Sequence, residues 1–401
     1  MLINTYFLYI DPMSGIAIVN VFIALILSLW RSIIKLLFKR NRKVETSIKR
    51  KLGLFSEGNQ YRLTFEPLIK FCIENKVETN YYTLDINDPF LHYDSPLFHP
   101  VFLGFGQFGY NNFSKINDPV IISTTPNIGN SNHPLKKPSN GTKLIHVFHS
   151  ISDISIYRKH SLDNYDQVFL IGGFQEKMIR LAEQKRRLKP KTLHLSGAPY
   201  FDSLLYTLEQ SKPDLQNSIL IASSWGKKGL INAFPLTWIE TLAKRCKREI
   251  IIRPHPQSFI SDMDAIKEIK NLASKYINLK LDREISPLQS MSMSSILISD
   301  TSSIRYDFAF LLERPVITID IPKSNLSEYE ASDFDVSWDL ESRIFIGQVV
   351  LNPSDINNEL IEDVITHYGI NDNINDFKNK TFNSTGNSAE LIIKKSLEYL
   401  S

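Results

Sequence analysis

The chain has 401 residues, 43% hydrophobic and 22% charged, which excludes a disordered chain and leaves room for two domains and an appendage. Its two cysteines, Cys72 and Cys246, lie far apart and exclude a disulfide framework and a thiolate metal site, which suits a reducing compartment. The net charge of +3 is uneven: residues 31–51 hold nine basic side chains against Glu45 alone, residues 52–401 sum to −4, and a basic face for nucleic acid is therefore not expected.

The first predicted element is a membrane segment. Residues 12–30, PMSGIAIVNVFIALILSLW, carry no charge over 19 positions, close to the roughly 20 that a spanning helix needs. Only Asp11 precedes them and the basic cluster follows at once. The positive-inside tendency then places the body of the chain on the cytoplasmic side of the cell membrane. Neither a basic n-region nor a small-residue cleavage site marks a secretory signal. The flank RSIIKLLFKRNRK also reads as a helix lying on an anionic cytoplasmic leaflet. Spanning and monotopic anchoring both stay open, with residues 1–45 as the anchor and its basic flank.

From about Gly53 helical and strand-like stretches alternate. FEPLIKFCIEN (65–75) has helical spacing, and NYYTLDI (80–86), PVIISTT (119–125), KLIHVFH (143–149), QVFLIGG (167–173) and TLHLSG (192–197) read as strands. FQEKMIRLAEQKRRL (174–188) is an amphipathic helix. A polar, proline-containing linker at 208–218 separates a first domain, 50–207, from a second, 219–350. There SILIASSWG, EIIIRPHP, INLKLD, SSILISD and PVITID are strands, and PLTWIETLAKRC, MDAIKEIKNLASKY and a stretch from Ser303 are helices. Residues 351–401 form a C-terminal helical segment. Such alternation predicts an α/β protein with parallel sheets, whose ligands bind beyond the C-terminal ends of the strands.

Unusual residues collect at those ends. Asp300, Thr301, Ser302 and Ser303 stand where a strand gives way to a helix. A helix N-terminus presents unpaired N–H groups and a partial positive charge. A single Asp, Ser or Thr suffices as a cap, so four in a row also suggest an anion site. His255, held between Pro254 and Pro256, follows a strand that ends in Arg253. The pair is either a structural junction or a charge-stabilising site for phosphate. His149 ends KLIHVFH, and His146, three residues earlier, points to the opposite face. Only one of the two can face a cleft, and His149, at the strand end, is favoured, as a proton acceptor or as a satisfied histidine at a strand end. GFGQFG (104–109) matches the dinucleotide pattern literally, but YNNFSKINDP after it is a poor helix and no acid ends the next strand. DMD (262–264) and DFD (333–335) read as solvated faces, no histidine–cysteine cluster has metal spacing, and no cofactor is expected.

Taken together, RPHP (253–256), ISDTSSIRYDFAFLLERPVI (298–317), GAPYFDSL (197–204), VFHSISD (147–153) and ILIASSWG (219–226) resemble the CDP-glycerol glycerophosphotransferase family. The resemblance runs through residues 118–320. It implies a GT-B fold, two Rossmann-like domains facing a cleft. It implies His149 as the catalytic base and His255 as the histidine at the donor pyrophosphate. It implies Thr301, Ser302 and Ser303 as phosphate contacts followed by the carboxylate of Asp307, with Ser224, Trp225 and Gly226 in the nucleotide region. The chain departs from the family pattern at Ser150, Thr301, Tyr200, Gly226 and Lys227, which bears on the donor's identity.

The expected reaction moves a polyol-phosphate unit from a CDP-linked alcohol to a hydroxyl of a lipid-linked or polymer acceptor, and releases CMP. Transfer of a sugar from a nucleotide-sugar is the alternative on the same fold. A membrane-tethered nucleotide-binding module without catalysis is the alternative of another class.

Overall fold

The computed structural model describes residues 52–400 apart from 139–140, 212–216, 285, 322–325, 335–336, 371–372 and 384–385. The expected membrane segment at 12–30 and its basic flank lie outside the described residues. No helix among the described residues is long and apolar enough to cross a membrane.

Two sheets organise the described chain. The first consists of β1 (Leu52–Ser56), β2 (Thr79–Thr83), β3 (Phe98–Phe102), β4 (Val120–Ser123), β5 (Lys143–Val147), β6 (Gln167–Leu170) and β7 (Thr192–Leu195). The second consists of β8 (Ser218–Ser223), β9 (Ile250–Pro254), β10 (Leu279–Leu281), β11 (Ser294–Ser299), β12 (Val316–Ile319) and β13 (Gly347–Val350). Their orders are β3-β2-β1-β4-β5-β6-β7 and β10-β9-β8-β11-β12-β13, and neighbouring strands run parallel. Parallelism follows from the residues. SILIAS, IIIRP and SSILIS are buried along their whole length. A strand covered on both faces must be apolar throughout, and its connections cross over through helices. Ile219, Ile221, Ile250 and Ile252 pack on Trp238, Ile239 and Leu242 and on Ile266 and Ile269. Burying each such side chain contributes about 1.5–3 kcal/mol relative to exposure.

Three strands escape the sequence pattern, each for a local reason. β3 contains Pro100, tolerated because β3 is an edge strand. β1 is an inner strand whose second residue is Gly53. A Cβ there would stand 2.8 Å from Asp118 Oδ2 and 3.1 Å from the Val120 carbonyl oxygen, so only glycine admits the neighbouring β4. β13 is four residues long and opens on a glycine. A helix forms at Gly106–Phe113, but it begins inside GFGQFG and takes in only the first four residues of YNNFSKINDP, the rest of which is turn and loop. It follows the edge strand and leaves Phe105 and Phe108 half exposed. The first aspartate of DFD is not simply solvated, since Asp333 pairs with Lys159 and Arg186; Asp335 lies outside the described residues.

The expected linker is helical up to Ser211, the end of the helix Pro199–Ser211. The C-terminal segment divides its allegiance. The helix Asn358–Ile370 adds Ile361 and Val364 to the second sheet's core. The last helix, Ser388–Leu397, returns to the first, with Ile392 and Ile393 packed among Leu52, Phe65 and Val147. Between β12 and β13 the chain also reaches across to the first lobe. There Glu330, fully buried, accepts Ser161 N–H and Oγ–H at 2.9 Å and meets the Arg186 guanidinium.

His146 sits in β5 with no exposure, ringed by Phe148, Tyr165 and Tyr157 at 4.8, 5.1 and 5.9 Å between centroids. Among the described residues neither of its ring nitrogens has a hydrogen-bond partner. Burial pushes its pKa down to about 3. A histidine held neutral in the folded state takes up its proton near 6.5 when unfolded, so stability falls as pH drops below 6.5. His146→Leu should remove that penalty. Its stability relative to the parent, read from urea midpoints, should rise by about 2 kcal/mol between pH 8 and pH 5.

Candidate active site

In each sheet the strand order reverses once, between β1 and β4 and between β8 and β11. Loops diverge at such points and leave a crevice beyond the C-terminal strand ends. A cavity of about 450 Å³ lies there, lined from the first lobe by Gln60, Tyr61, His149, Ser150 and Tyr200. The second lobe contributes Ser224, Trp225, Arg253, His255, the run Thr301–Ser303 and Asp307. Nine of the ten residues singled out in the sequence therefore meet in one place.

Gly226 is the tenth and does not line the cavity. Its φ of +83° is the left-handed backbone that favours glycine. Its N–H donates to Asp262 Oδ2 at 3.0 Å, which holds the turn that presents Trp225. Trp225 is 54% exposed at the mouth, its ring centroid 6.4 Å from that of His255.

The crowd of hydroxyls at the start of the helix Ile304–Leu312 has a division of labour. Asp300 is fully buried and takes the structural role. Its carboxylate accepts Ser302 N–H at 3.0 Å, Leu230 N–H at 2.8 Å, Ser224 Oγ–H at 2.8 Å and Ser224 N–H at 3.0 Å. One side chain thus ties the end of β11 to the loop after β8. The hydroxyls of Thr301, Ser302 and Ser303 are left over. Among the described residues none of the three has a hydrogen-bond partner, and all three residues face the cavity. Free hydroxyls at a helix N-terminus are groups to which an anion can hydrogen-bond. Arg305, one residue into the helix, is buried rather than offered to ligand. Its guanidinium donates to Ser302 O at 2.9 Å and to Asp339 Oδ1 at 2.5 Å, which fixes the turn from behind.

Arg253 lines the cavity but is not a free cation. It is 8% exposed, and its guanidinium donates to Asp282 Oδ2 at 2.6 Å. His255 rides on the rigid loop after Pro254, and its Nδ1 accepts Gln257 N–H at 3.1 Å. The neutral ring therefore carries its proton on Nε2. Burial pushes its pKa down, opposed by the Asp300 and Asp262 carboxylates and reinforced by Arg253.

His149 stands across the cavity on the loop after β5. Tyr61 meets its ring edge-on at 4.9 Å. Burial and the nearby His255 push its pKa down to about 4, so at neutral pH the imidazole is unprotonated and free to accept a proton.

Tyr61, Gln60, Trp338 and Asp339 also line the cavity and carry no signal in the sequence. Trp338 arrives on the segment after β12, its ring stacked on Phe174 at 4.0 Å and its backbone N–H donating to Asp153 Oδ2 at 3.4 Å. Tyr200, noted only as a departure from a motif, hydrogen-bonds Asp307 across the lobes at 2.7 Å.

Comparison with known proteins places this arrangement. The family model described as CDP-glycerol:poly(glycerophosphate) glycerophosphotransferase matches residues 140–396. No curated protein sequence matches the chain. Among solved structures, the wall teichoic acid polymerase TagF is similar at 14% identity and a TM-score of 0.56, over 93% of this chain and 98% of that one. The UDP-GlcNAc 2-epimerase of Methanocaldococcus jannaschii in complex with UDP-GlcNAc and UDP is similar at 12% identity and a TM-score of 0.56, over 87% and 99%. That of Neisseria meningitidis bound to UDP-GlcNAc is similar at 14% identity and a TM-score of 0.54, over 87% and 100%. At such identities the likeness to these structures is one of fold, GT-B-like with two parallel sheets.

Proposed function

The chain belongs to the CDP-glycerol:poly(glycerophosphate) glycerophosphotransferase family, and from that premise we propose that it transfers glycerol phosphate, or a similar polyol phosphate, from a CDP-linked donor to a hydroxyl of a lipid-linked or surface-polymer acceptor of the teichoic-acid kind. The observation that carries the reading is the facing of a neutral histidine on one lobe by three uncommitted hydroxyls at a helix N-terminus on the other.

The donor's diphosphate sits on Thr301, Ser302 and Ser303, with His255 Nε2–H and the Arg253–Asp282 pair beside it. The nucleotide lies toward Ser224 and Trp225. His149 takes the proton of the acceptor hydroxyl as its oxygen attacks the polyol-bearing phosphorus. The bond from that phosphorus to the bridging oxygen breaks, and CMP departs with the electron pair. Such a transition state needs alignment and neutralisation of charge more than covalent help. A similar structure of TagF, the H444N protein after a soak with CDPG, supports a CDP-linked donor by analogy of family and fold.

Membrane association belongs to the same proposal. It is supported by the uncharged run 12–30 and the basic residues after it, which would hold the body at the cytoplasmic face beside a lipid-linked acceptor.

A donor panel tests the reading. The full-length protein, given an acceptor ending in glycerol phosphate, should release CMP from CDP-glycerol or CDP-ribitol and no UDP from UDP-sugars. UDP release with no CMP would transfer the case to a glycosyltransferase, and absence of nucleotide binding by calorimetry to a non-catalytic module.

A further inference from the structure

We propose that Tyr200 and Asp307 together read the free hydroxyls of the polyol unit in the cavity, and so set which alcohol the enzyme handles. The inference rests on the CDP-polyol reading above and adds to it the residues that select the substrate.

Position comes first. Tyr200 belongs to the helix Pro199–Ser211 of the first lobe and Asp307 to the helix Ile304–Leu312 of the second. Their 2.7 Å hydrogen bond, phenol to Asp307 Oδ1, crosses the cleft inside the cavity. Ile151 N–H also lies against the phenol oxygen, two residues beyond His149. Asp307 stands one helical turn past Ser303. The pair therefore bridges the His149 loop and the phosphate-binding helix end, where the transferred unit and the attacking hydroxyl must meet.

Chemistry comes second. A carboxyl group beside a diphosphate is repelled by it and finds its favourable partners in hydroxyls or cations. Among the described residues Asp307 has no cationic partner, and its Oδ2 makes no hydrogen bond. Burial raises its carboxyl to about 7, with only the Tyr200 hydroxyl opposing. A carboxyl with one oxygen uncommitted, next to a phenol oxygen, offers the closely spaced acceptors that a diol satisfies. Tyr200 presents a neutral hydroxyl to Asp307 Oδ1 rather than a cation, which leaves Oδ2 available.

The hydroxyls could belong to the donor's polyol or to the acceptor's terminal polyol, and two arms separate these sources. In the first, kcat/KM of the full-length protein is measured for CDP-glycerol and for the two CDP-linked propanediols that each lack one hydroxyl. In the second, the donor is constant and the acceptor ends in glycerol phosphate or in the corresponding deoxy unit. The parent protein should prefer the complete polyol by about 10- to 100-fold on one arm, because the deoxy analogue leaves a buried polar group unpaired. Tyr200→Phe and Asp307→Asn should each bring that ratio to within about threefold of unity, chiefly by losing activity on the complete polyol. Tyr200→Phe keeps the ring and its packing, so it decides the question should Asp307→Asn fold poorly. If both arms show the parent's discrimination unchanged in the variants, the inference is overturned while the transferase reading stands. If the parent releases no CMP from any CDP-polyol, both fall together.

Discussion

Replacing His149 by alanine is expected to lower CMP release by about 10²–10⁴-fold, the usual loss when a general base is removed, with the protein still folded. The imidazole hydrogen-bonds the Thr124 backbone and packs beside Tyr61, both at the cavity end of the lobe, so its loss removes one local contact. His255→Ala should cost about 10²–10³-fold, the usual effect of removing one preorganised donor to developing charge. The pH dependence gives the sharper test. A base must be unprotonated, so activity falls as pH drops through its pKa. Because burial and His255 push the His149 pKa down to about 4, the acidic limb of kcat/KM should lie near pH 4, well below the 6.5 of an ordinary histidine. Full CMP release by both variants would remove these residues from the mechanism. An acidic limb at 6.5 that persists in His149→Ala would assign the titration to another group.

Asp300→Ala should be the most damaging change to the donor lobe that leaves every cavity-lining residue in place. The carboxylate, itself fully buried, accepts from Ser302, Leu230 and Ser224, and all these donors lose their partner, Leu230 N–H in the interior and the serine groups where they are half-buried. Unsatisfied buried donors cost about 1–3 kcal/mol each, so a loss of at least about 3 kcal/mol is expected in urea unfolding. Asp300→Asn should recover little, because its amide would face N–H donors. KM for the CDP-donor should rise in any fraction that folds, since the loop carrying Ser224 and the helix end carrying Ser302 would no longer be tied. An Asp300→Ala protein with parental stability and parental KM would show that the hydroxyls organise themselves.

These two changes also mark how far the linear chain could be read. The apolar runs of β8, β9 and β11 announced buried parallel strands, because a strand covered on both faces has no room for polar alternation. His149, His255 and the run Thr301–Ser303 could be picked out because strand ends in such sheets are where ligands bind. The division of labour among Asp300, Thr301, Ser302 and Ser303 was not legible. Four adjacent small polar residues are equivalent as letters, and only the burial of Asp300 against the Ser224 loop makes it the tether and leaves the others free. Arg253 likewise read as an available cation, until Asp282 at the end of β10 was found holding it.

What the residues alone determined is local: periodicity, turn chemistry and charge depend on neighbours along the chain, and they specified two α/β halves and the polar ends of their strands. What required the folded protein is everything set by partners distant in sequence. The crossing of Tyr200 to Asp307, the neutral state of His149, and the reach of Glu330 and Trp338 onto the first lobe belong to this class. So does the return of the last helix to the first sheet. Hydrogen bonds and desolvation act through space over a few ångströms, so separations of a hundred residues or more leave no trace of them in sequence order.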